Sequence, residues 1–368
     1  MPAPTRKMIH AEEHIKATLP TLPFYVQEYV VARRRSGLSS LTLSGYLYDF
    51  NKFFTWLRIE GFSEAESNAH IPFTVLESLT KNDIEMFFDM LRDEKIQKQE
   101  GVHVKRSLQS LNRYMQSLKS LFNYLTTETE DENGESYFYR NVMAKVRTPR
   151  KQESAGYRAK RINAQTLNAT EMDGLVNFMK HDYAASLSPR ALSRFQRDQL
   201  RDIAIISLFN GSGMRAGEVA GLLVSDVDKT HADITALRKG NGLDTVSILP
   251  SAMDDVIAYM DVREEIYKPE PKNKYLFLTR YKGVANPISQ ESIEKIVKKY
   301  TKAYLDGKEL SPHKLRHSFA KRYLDEGGSL VALRDQLGHN DIETTTLYTN
   351  HSQDEHREIL NKMDRSKK

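Results

Sequence analysis

The chain has 368 residues, enough for two domain cores. Hydrophobic residues make up 39% and charged residues 28%, the balance of a globular protein rather than a disordered one. Cysteine is absent, which excludes disulfide frameworks, thiolate zinc sites, iron–sulfur clusters and cysteine nucleophiles and fits a reducing cytosol.

The opening Met-Pro-Ala-Pro-Thr-Arg-Lys-Met-Ile-His lacks the apolar run of a signal peptide, and no apolar stretch approaches the roughly 20 residues of a membrane span. The expectation is a cytoplasmic protein with no membrane partner. A formal net charge of +5 favours an acidic partner only weakly, so the position of the charge matters more.

From Pro23 to about Leu125 the periodicity is helical, with about 20 residues ahead of the first helix. Leu43, Tyr46, Leu47, Phe50, Phe53, Phe54 and Leu57 describe one buried stripe at i, i+3, i+4 and i+7 spacing. A second helix is expected near Asp83 to Glu94, with Thr80 and Asn82 as candidate caps. A third runs from about Ser107 to Leu125 with Leu108, Leu111, Met115, Leu118, Phe122 and Leu125 inward. It places Lys105, Arg106, Arg113 and Lys119 among Ser110, Asn112, Gln116 and Ser117. Such a surface suits phosphate contacts and a few base-edge hydrogen bonds, and it equally describes an ordinary solvated helix face.

Residues 126–136 are acidic and polar, a solvent loop, and the next stretch reverses sign. Residues 147–161 hold six basic side chains and one acidic, net +5, with Pro149 and Gly156 among them. This reads as a basic linker in which Arg150, Lys151, Arg158, Lys160 and Arg161 could track a nucleic-acid backbone, with the salt-sensitive affinity that counterion release produces. The domain division is therefore 1–146 helical, 147–162 linker, 163–348 second domain and 349–368 tail.

In the second domain the apolar run Ile203 to Leu208 suits a buried helix ahead of a Gly-Ser-Gly break. Ala232 to Leu237 and Thr245 to Leu249 read as strands joined by a turn at Lys239-Gly-Asn-Gly242. Gln290 to Tyr304 is amphipathic, and Pro312 opens a helix that runs to about Asp325 and is ended by Gly327-Gly328. The fold class expected is mainly α with a small antiparallel β element.

Six residues then stand out: Arg215 in Ser-Gly-Met-Arg-Ala-Gly-Glu, Lys239 on the turn, His313 and Arg316 in His-Lys-Leu-Arg, His339 in Leu-Gly-His, and Tyr348 nine residues later in Thr-Thr-Leu-Tyr-Thr. In order and spacing this set resembles the signature of the tyrosine recombinases, the phage integrase family. Glu135-Ser-Tyr-Phe-Tyr-Arg-Asn-Val-Met143 and His313-Lys-Leu-Arg-His-Ser-Phe-Ala320 are similar to its single-recombinase Xer branch.

The resemblance implies an N-terminal helical, SAM-like core-binding domain, a mixed α/β catalytic domain, and an enzyme that cuts and rejoins DNA through a 3′-phosphotyrosyl bond. Attack on a phosphodiester gathers negative charge on oxygen, so fixed cations are needed around phosphorus, and arginine's planar fork can hold two oxygens. Arg215 and Arg316 would form that clamp. His313 and Arg316, three apart, would share the first turn of their helix and face one ligand. By resemblance Tyr348 is the nucleophile, His313 the proton acceptor, His339 a donor to the phosphate and Lys239 the general acid for the departing 5′ oxygen. Glu218 would orient the site. No cofactor and no metal are expected, because the arginines and histidines supply the charge stabilisation.

The partners implied are double-stranded DNA at two sites and a homo-tetramer on DNA, with a septal DNA translocase by analogy. The tail's Ile359, Leu360 and Met363 form one apolar face, which either folds back or, the favoured reading, docks on a neighbouring protomer. The process implied is resolution of chromosome dimers at a dif-like site before cell division. The alternatives are a mobile-element integrase, many of which carry an extra N-terminal arm-binding domain, a type IB topoisomerase, and a non-catalytic DNA-binding protein.

Overall fold

The computed structural model describes residues 6–99, 102–148, 166–238 and 242–338. The chain divides into two units, Met1–Gln152 and Glu153–Lys368, and the division falls inside the basic stretch. Among the described residues no helix is long and apolar enough to cross a membrane. The architecture is mainly helical with small antiparallel sheets, as the sequence leads one to expect.

The first unit carries α1 (Arg6–Thr18), α2 (Phe24–Arg35), α3 (Ser40–Ile59), α4 (Phe73–Ser78), α5 (Lys81–Asp93), the strands β1 (Lys95–Gln99) and β2 (Val102–Lys105), and α6 (Leu108–Thr127). The α3 stripe is the centre of its core: Leu43, Leu47, Phe50, Phe53, Phe54 and Leu57 are buried and Tyr46 is partly so. Phe53 meets Phe87 of α5 at 5.0 Å and Phe122 of α6 at 6.4 Å between ring centroids, edge to face. Thr80 and Asp83 cap α5 reciprocally, each accepting from the other's backbone N–H (3.3 and 2.7 Å), and Ser107 caps α6.

Two features of this unit depart from the sequence reading. A helix, α1, precedes Pro23, where the sequence reading placed about 20 residues ahead of the first helix. Its inward face holds only Ala11 and Ile15, too sparse a stripe to register as periodic. The hairpin β1–β2 was not anticipated either, because Lys95-Ile-Gln-Lys-Gln99 is polar and its apolar residue Ile96 is only half-buried. Lys105 consequently ends β2, and Arg106 lies in the connection, both ahead of α6 rather than on its face.

The second unit opens with α7 (Ala169–His181) and α8 (Pro189–Ser212), followed by α9 (Ala216–Gly221). The strands β3 (Val227–Asp228), β4 (Asp233–Leu237) and β5 (Leu243–Ser247) form one antiparallel sheet in that order. Then come α10 (Pro250–Tyr267), the hairpin β6 (Leu278–Tyr281) and β7 (Val284–Pro287), α11 (Gln290–Tyr304), α12 (Pro312–Asp325) and α13 (Leu330–Leu337). The run Ile203 to Leu208 is buried in the C-terminal half of α8, which packs along α10 and is touched by α12 and α7. At Gly211 a Cβ would come within 2.7 Å of Ala252 Cβ, so these helices approach as closely as glycine allows. The second strand of the expected hairpin starts and ends two residues earlier than Thr245–Leu249, because Leu249-Pro250 begins α10.

Pro312 opens α12 at its first position, and the expected double glycine ends it. Gly327 N–H donates to Leu324 O and Gly328 N–H to Tyr323 O, both at 2.9 Å, the Schellman pattern. At the end of α8, Gly213 adopts φ +67°, and a Cβ there would lie 2.5 Å from Phe319 Cδ1 and 2.9 Å from Leu337 Cδ2. Gly213→Ala combines left-handed strain with overpacking against α12 and α13, and is expected to lower stability by about 2–4 kcal/mol. A denaturant melt of the variant against wild type measures it.

Candidate active site

The site is built on the C-terminal end of α13. Gly338 caps that helix in the left-handed conformation, φ +60°, and the last carbonyls of a helix have no intrahelical donor. Here arginines supply the donors. Arg316 Nη2 donates to Leu337 O at 2.6 Å, Arg215 Nη2 to Gly338 O at 3.2 Å, and Arg238 Nη1 and Nη2 to Leu337 O and Gln336 O at 3.3 and 2.7 Å. Three guanidiniums from three separate chain segments thus meet at the negative end of one helix dipole.

Arg316 reaches it from the first turn of α12. Its Nη1 also donates to Gly213 O at 2.8 Å, and the side chain is buried. The same bond ties α12 to the turn that ends α8, the turn from which Arg215 emerges two residues later. Arg215 precedes the first residue of α9, and Glu218 grips it twice: Glu218 Oε2 accepts from the Arg215 backbone N–H and Oε1 from Nη1, each at 2.8 Å. The expectation that Glu218 orients rather than reacts matches this geometry, since its carboxylate is buried and also accepts from Arg238 Nη1 at 3.1 Å. Arg215 keeps 34% of its side chain exposed, and only two of a guanidinium's five N–H donors serve the bonds described.

His313 stands one turn before Arg316 on α12, and its ring lies edge-on to His317 with centroids 4.3 Å apart. The protein packed around it, then the guanidinium of Arg316, the ammonium of Lys314 and Arg215, all disfavour the imidazolium, so its pKa is lowered from the ordinary histidine value. A neutral imidazole beside two arginines can accept a proton while the arginines hold an anion.

Arg215, His313 and Arg316 are therefore brought together. Lys239, His339 and Tyr348 lie outside the described residues, although residues 238 and 338, the neighbours of the first two, are part of the arginine cluster. Arg238 was missed by the sequence reading, yet a signal for it existed. Strand β4 buries Ile234 and Ala236, and continuing the alternation turns residue 238 to the same inner face. Among the described residues no group of three or more His, Asp or Glu side chains is placed to hold a metal ion.

On the first unit, Arg106 and Arg113 flank the Tyr114 ring at 5.3 and 5.4 Å. Arg106 donates to Glu94 Oε2 through Nε and Nη2 (3.0 and 2.7 Å), and Lys52, which the sequence reading did not single out, donates to Oε1 at 2.6 Å. Arg113 Nη2 donates to the buried Asp49 at 2.7 Å, and burial pushes the Asp49 carboxyl up to about 6 against the pull of Arg113. Lys105 pairs with Asp93 at 2.9 Å, and Lys119 donates to Thr148 at 3.3 Å. Arg150, Lys151, Arg158, Lys160 and Arg161 lie outside the described residues.

Comparison with known proteins gives the family. Residues 165–355 match the model of the phage integrase family. The chain belongs to that family and is a tyrosine recombinase, a DNA strand-transfer enzyme. It is 37% identical over 351 residues to the tyrosine recombinase XerS of Streptococcus gordonii, and 36% identical to that of Streptococcus sanguinis, in each case across 95% of this chain and 98% of the relative. Its fold is similar to that of the XerH site-specific recombinase bound to a palindromic difH substrate, with a TM-score of 0.62 at 20% identity over 96% of this chain and 88% of that one. The fold is likewise similar to that of the Tn1549 transposon integrase in complex with a circular intermediate DNA, with a TM-score of 0.56 at 17% identity over 92% of this chain and 99% of that one.

The two expected clamp arginines differ in what else they do. Arg316→Ala strips the Gly213 carbonyl of its charged donor, leaves Leu337 O with only the longer bond from Arg238, and empties a buried site, and is expected to cost about 3 kcal/mol of stability, whereas Arg215→Ala, at a partly exposed side chain, costs about 1 kcal/mol. Chemical denaturation of both variants separates them.

Proposed function

We propose that this recombinase acts in the manner of the Xer branch, exchanging strands between two copies of a dif-like site to resolve chromosome dimers before cell division. The observation that carries the reading is the convergence of Arg215, Arg316 and His313, whose pKa burial and those arginines lower, beside the end of α13, a preorganised place for one phosphodiester. Identity of 37 and 36% to relatives named tyrosine recombinase XerS supports the Xer branch over a mobile-element integrase.

In this mechanism Arg215 and Arg316 hold the nonbridging oxygens. The Tyr348 oxygen attacks phosphorus and its proton passes to His313. The bond to the 5′ oxygen breaks, Lys239 protonates that oxygen, and His339 donates to the phosphate. The phosphotyrosyl bond conserves the energy of the broken one, so attack by a second strand's 5′ hydroxyl reverses the step without ATP. The unit 1–146 binds the core site, with Lys105, Arg106, Arg113 and Lys119 as contact candidates. The linker 147–162 follows the DNA backbone, and the tail 349–368 docks on a neighbouring protomer in a homo-tetramer. A septal DNA translocase is a candidate partner, and the cytoplasm is the expected compartment.

Covalent trapping on a nicked suicide substrate carrying a dif-like sequence tests the chemistry. Wild type is expected to form a 3′-linked adduct without metal or ATP, and Tyr348→Phe to bind the DNA and form none. An adduct with Tyr348→Phe overturns the nucleophile assignment.

The pH profile tests His313. An acceptor must be neutral, so the trapping rate falls as pH drops through its pKa. Because that pKa is lowered, the acid limb is expected below the ordinary histidine range. His313→Gln should lower the plateau and remove that limb, and a limb unchanged by the substitution would assign it to another group.

A further inference from the structure

Arg238 is a buried cation with no place in the mechanism above, 8% exposed at the mouth of the β4–β5 hairpin. Its backbone N–H donates to Gly242 O at 2.8 Å, just beyond the last β4–β5 pair, Leu237 and Leu243. Its side chain makes four bonds: Nε to Asp244 Oδ2 on β5 (3.2 Å), Nη1 to Glu218 Oε2 and Leu337 O (3.1 and 3.3 Å), and Nη2 to Gln336 O (2.7 Å). With four of a guanidinium's five donors spent on protein acceptors, Arg238 is not built to take a phosphate. Its partners say what it is built for. Glu218 is the carboxylate that grips Arg215, and Leu337 O is the carbonyl that also receives Arg316. Gly338 is shaped to the same group, because a Cβ there would sit 2.8 Å from Arg238 Nε. One planar cation therefore joins the hairpin to both anchors of the arginine pair, and the next residue in the chain is Lys239.

We propose that Arg238 is a positioning residue for proton delivery to the leaving group: it locks the base of the hairpin onto the Glu218 and α13 anchors, and so fixes where Lys239 acts relative to the phosphate held by Arg215 and Arg316. The proposal rests on the reading of Lys239 as the general acid. In that step the phosphorus–O5′ bond breaks as the Tyr348 oxygen–phosphorus bond forms, the electron pair stays on O5′, and the Lys239 ammonium gives it a proton. Arg238 gains and loses none.

The test compares two suicide substrates, one with oxygen and one with sulfur at the bridging 5′ position. A thiol ionises near pH 8.5, so sulfur leaves as thiolate without an acid. Arg238→Ala is expected to cleave the oxygen substrate about 100-fold more slowly than wild type, a typical general-acid contribution, and the sulfur substrate at close to the wild-type rate. Arg238→Lys, which keeps the charge but not the fork, should show the same rescue from a smaller loss and covers the case in which the alanine variant folds poorly. Lys239→Ala should be rescued as well, and Arg215→Ala should stay slow on both. If Arg238 variants remain slow on sulfur while Lys239→Ala is rescued, Arg238 serves the phosphate clamp or the fold and the proposal fails alone. If Arg238→Ala cleaves oxygen at the wild-type rate, it fails as well. If Lys239→Ala is not rescued, the general-acid reading fails and takes the proposal with it.

Discussion

The catalytic unit depends on the unsatisfied carbonyls at the C-terminal end of α13. A helix terminus carries about half a negative charge on exposed C=O groups, and buried in a protein it needs donors. Three arginines answer that need and cross-link what they come from: Arg215 from the turn after α8, Arg238 from the hairpin, and Arg316 from α12. Remove the helix end and Arg316 loses its link to the other two guanidiniums, which Glu218 alone would still hold against their mutual repulsion. Remove the guanidiniums and the carbonyls of Gln336, Leu337 and Gly338 lose their charged partners.

That arrangement leaves a surplus of positive charge. Among the described residues Glu218 is the buried carboxylate bonded to Arg215 and Arg238, and Asp244, nearly half exposed, pairs with Arg238. Such a site is costly to assemble empty, because buried like charges repel and are poorly solvated. The cost is met by rigid surroundings: a helix end that cannot turn away, a glycine at 213 fitted against Phe319 and Leu337, and the long contact of α8 with α10. Donors held this way need no reorganisation when a phosphodiester gathers charge, which is where preorganised electrostatics act on rate.

What the sequence displayed follows from physical range. His313 and Arg316 were legible because both stand on one helical turn opened by Pro312, and Glu218 because it lies three residues beyond Arg215 on the next short helix. The stripes of α3 and α6 were legible because large side chains recur at helical spacing over many turns. The β4 alternation gives the inward side of Arg238 but not its role, because two of its partners are backbone carbonyls about a hundred residues away, and carbonyls leave no trace in a sequence. For the same reason Arg316 could be read as a phosphate ligand but not as the brace between Gly213 and Leu337. Helix α1 and the β1–β2 hairpin were missed because their apolar faces are thin, and a pattern with two buried side chains carries almost no periodic signal.

The first unit handles its basic residues by another rule. Arg106 and Arg113 are not loose surface charges: each lies against the Tyr114 ring and is drawn to a carboxylate, Glu94 in one case and the buried Asp49 in the other. A planar cation stacked on an aromatic ring and bonded at one edge has lost most of its rotamer freedom before any ligand arrives. A DNA phosphate or base edge meeting Arg113, still 44% exposed, would find it already oriented and would compete only with Asp49. Arg106, with 10% exposure and two bonds to Glu94, is closer to a structural strut for the α5–α6 connection. Counting basic residues on a helix therefore overstates what a DNA surface can offer, and the difference between a contact and a strut is decided by the carboxylates that face them.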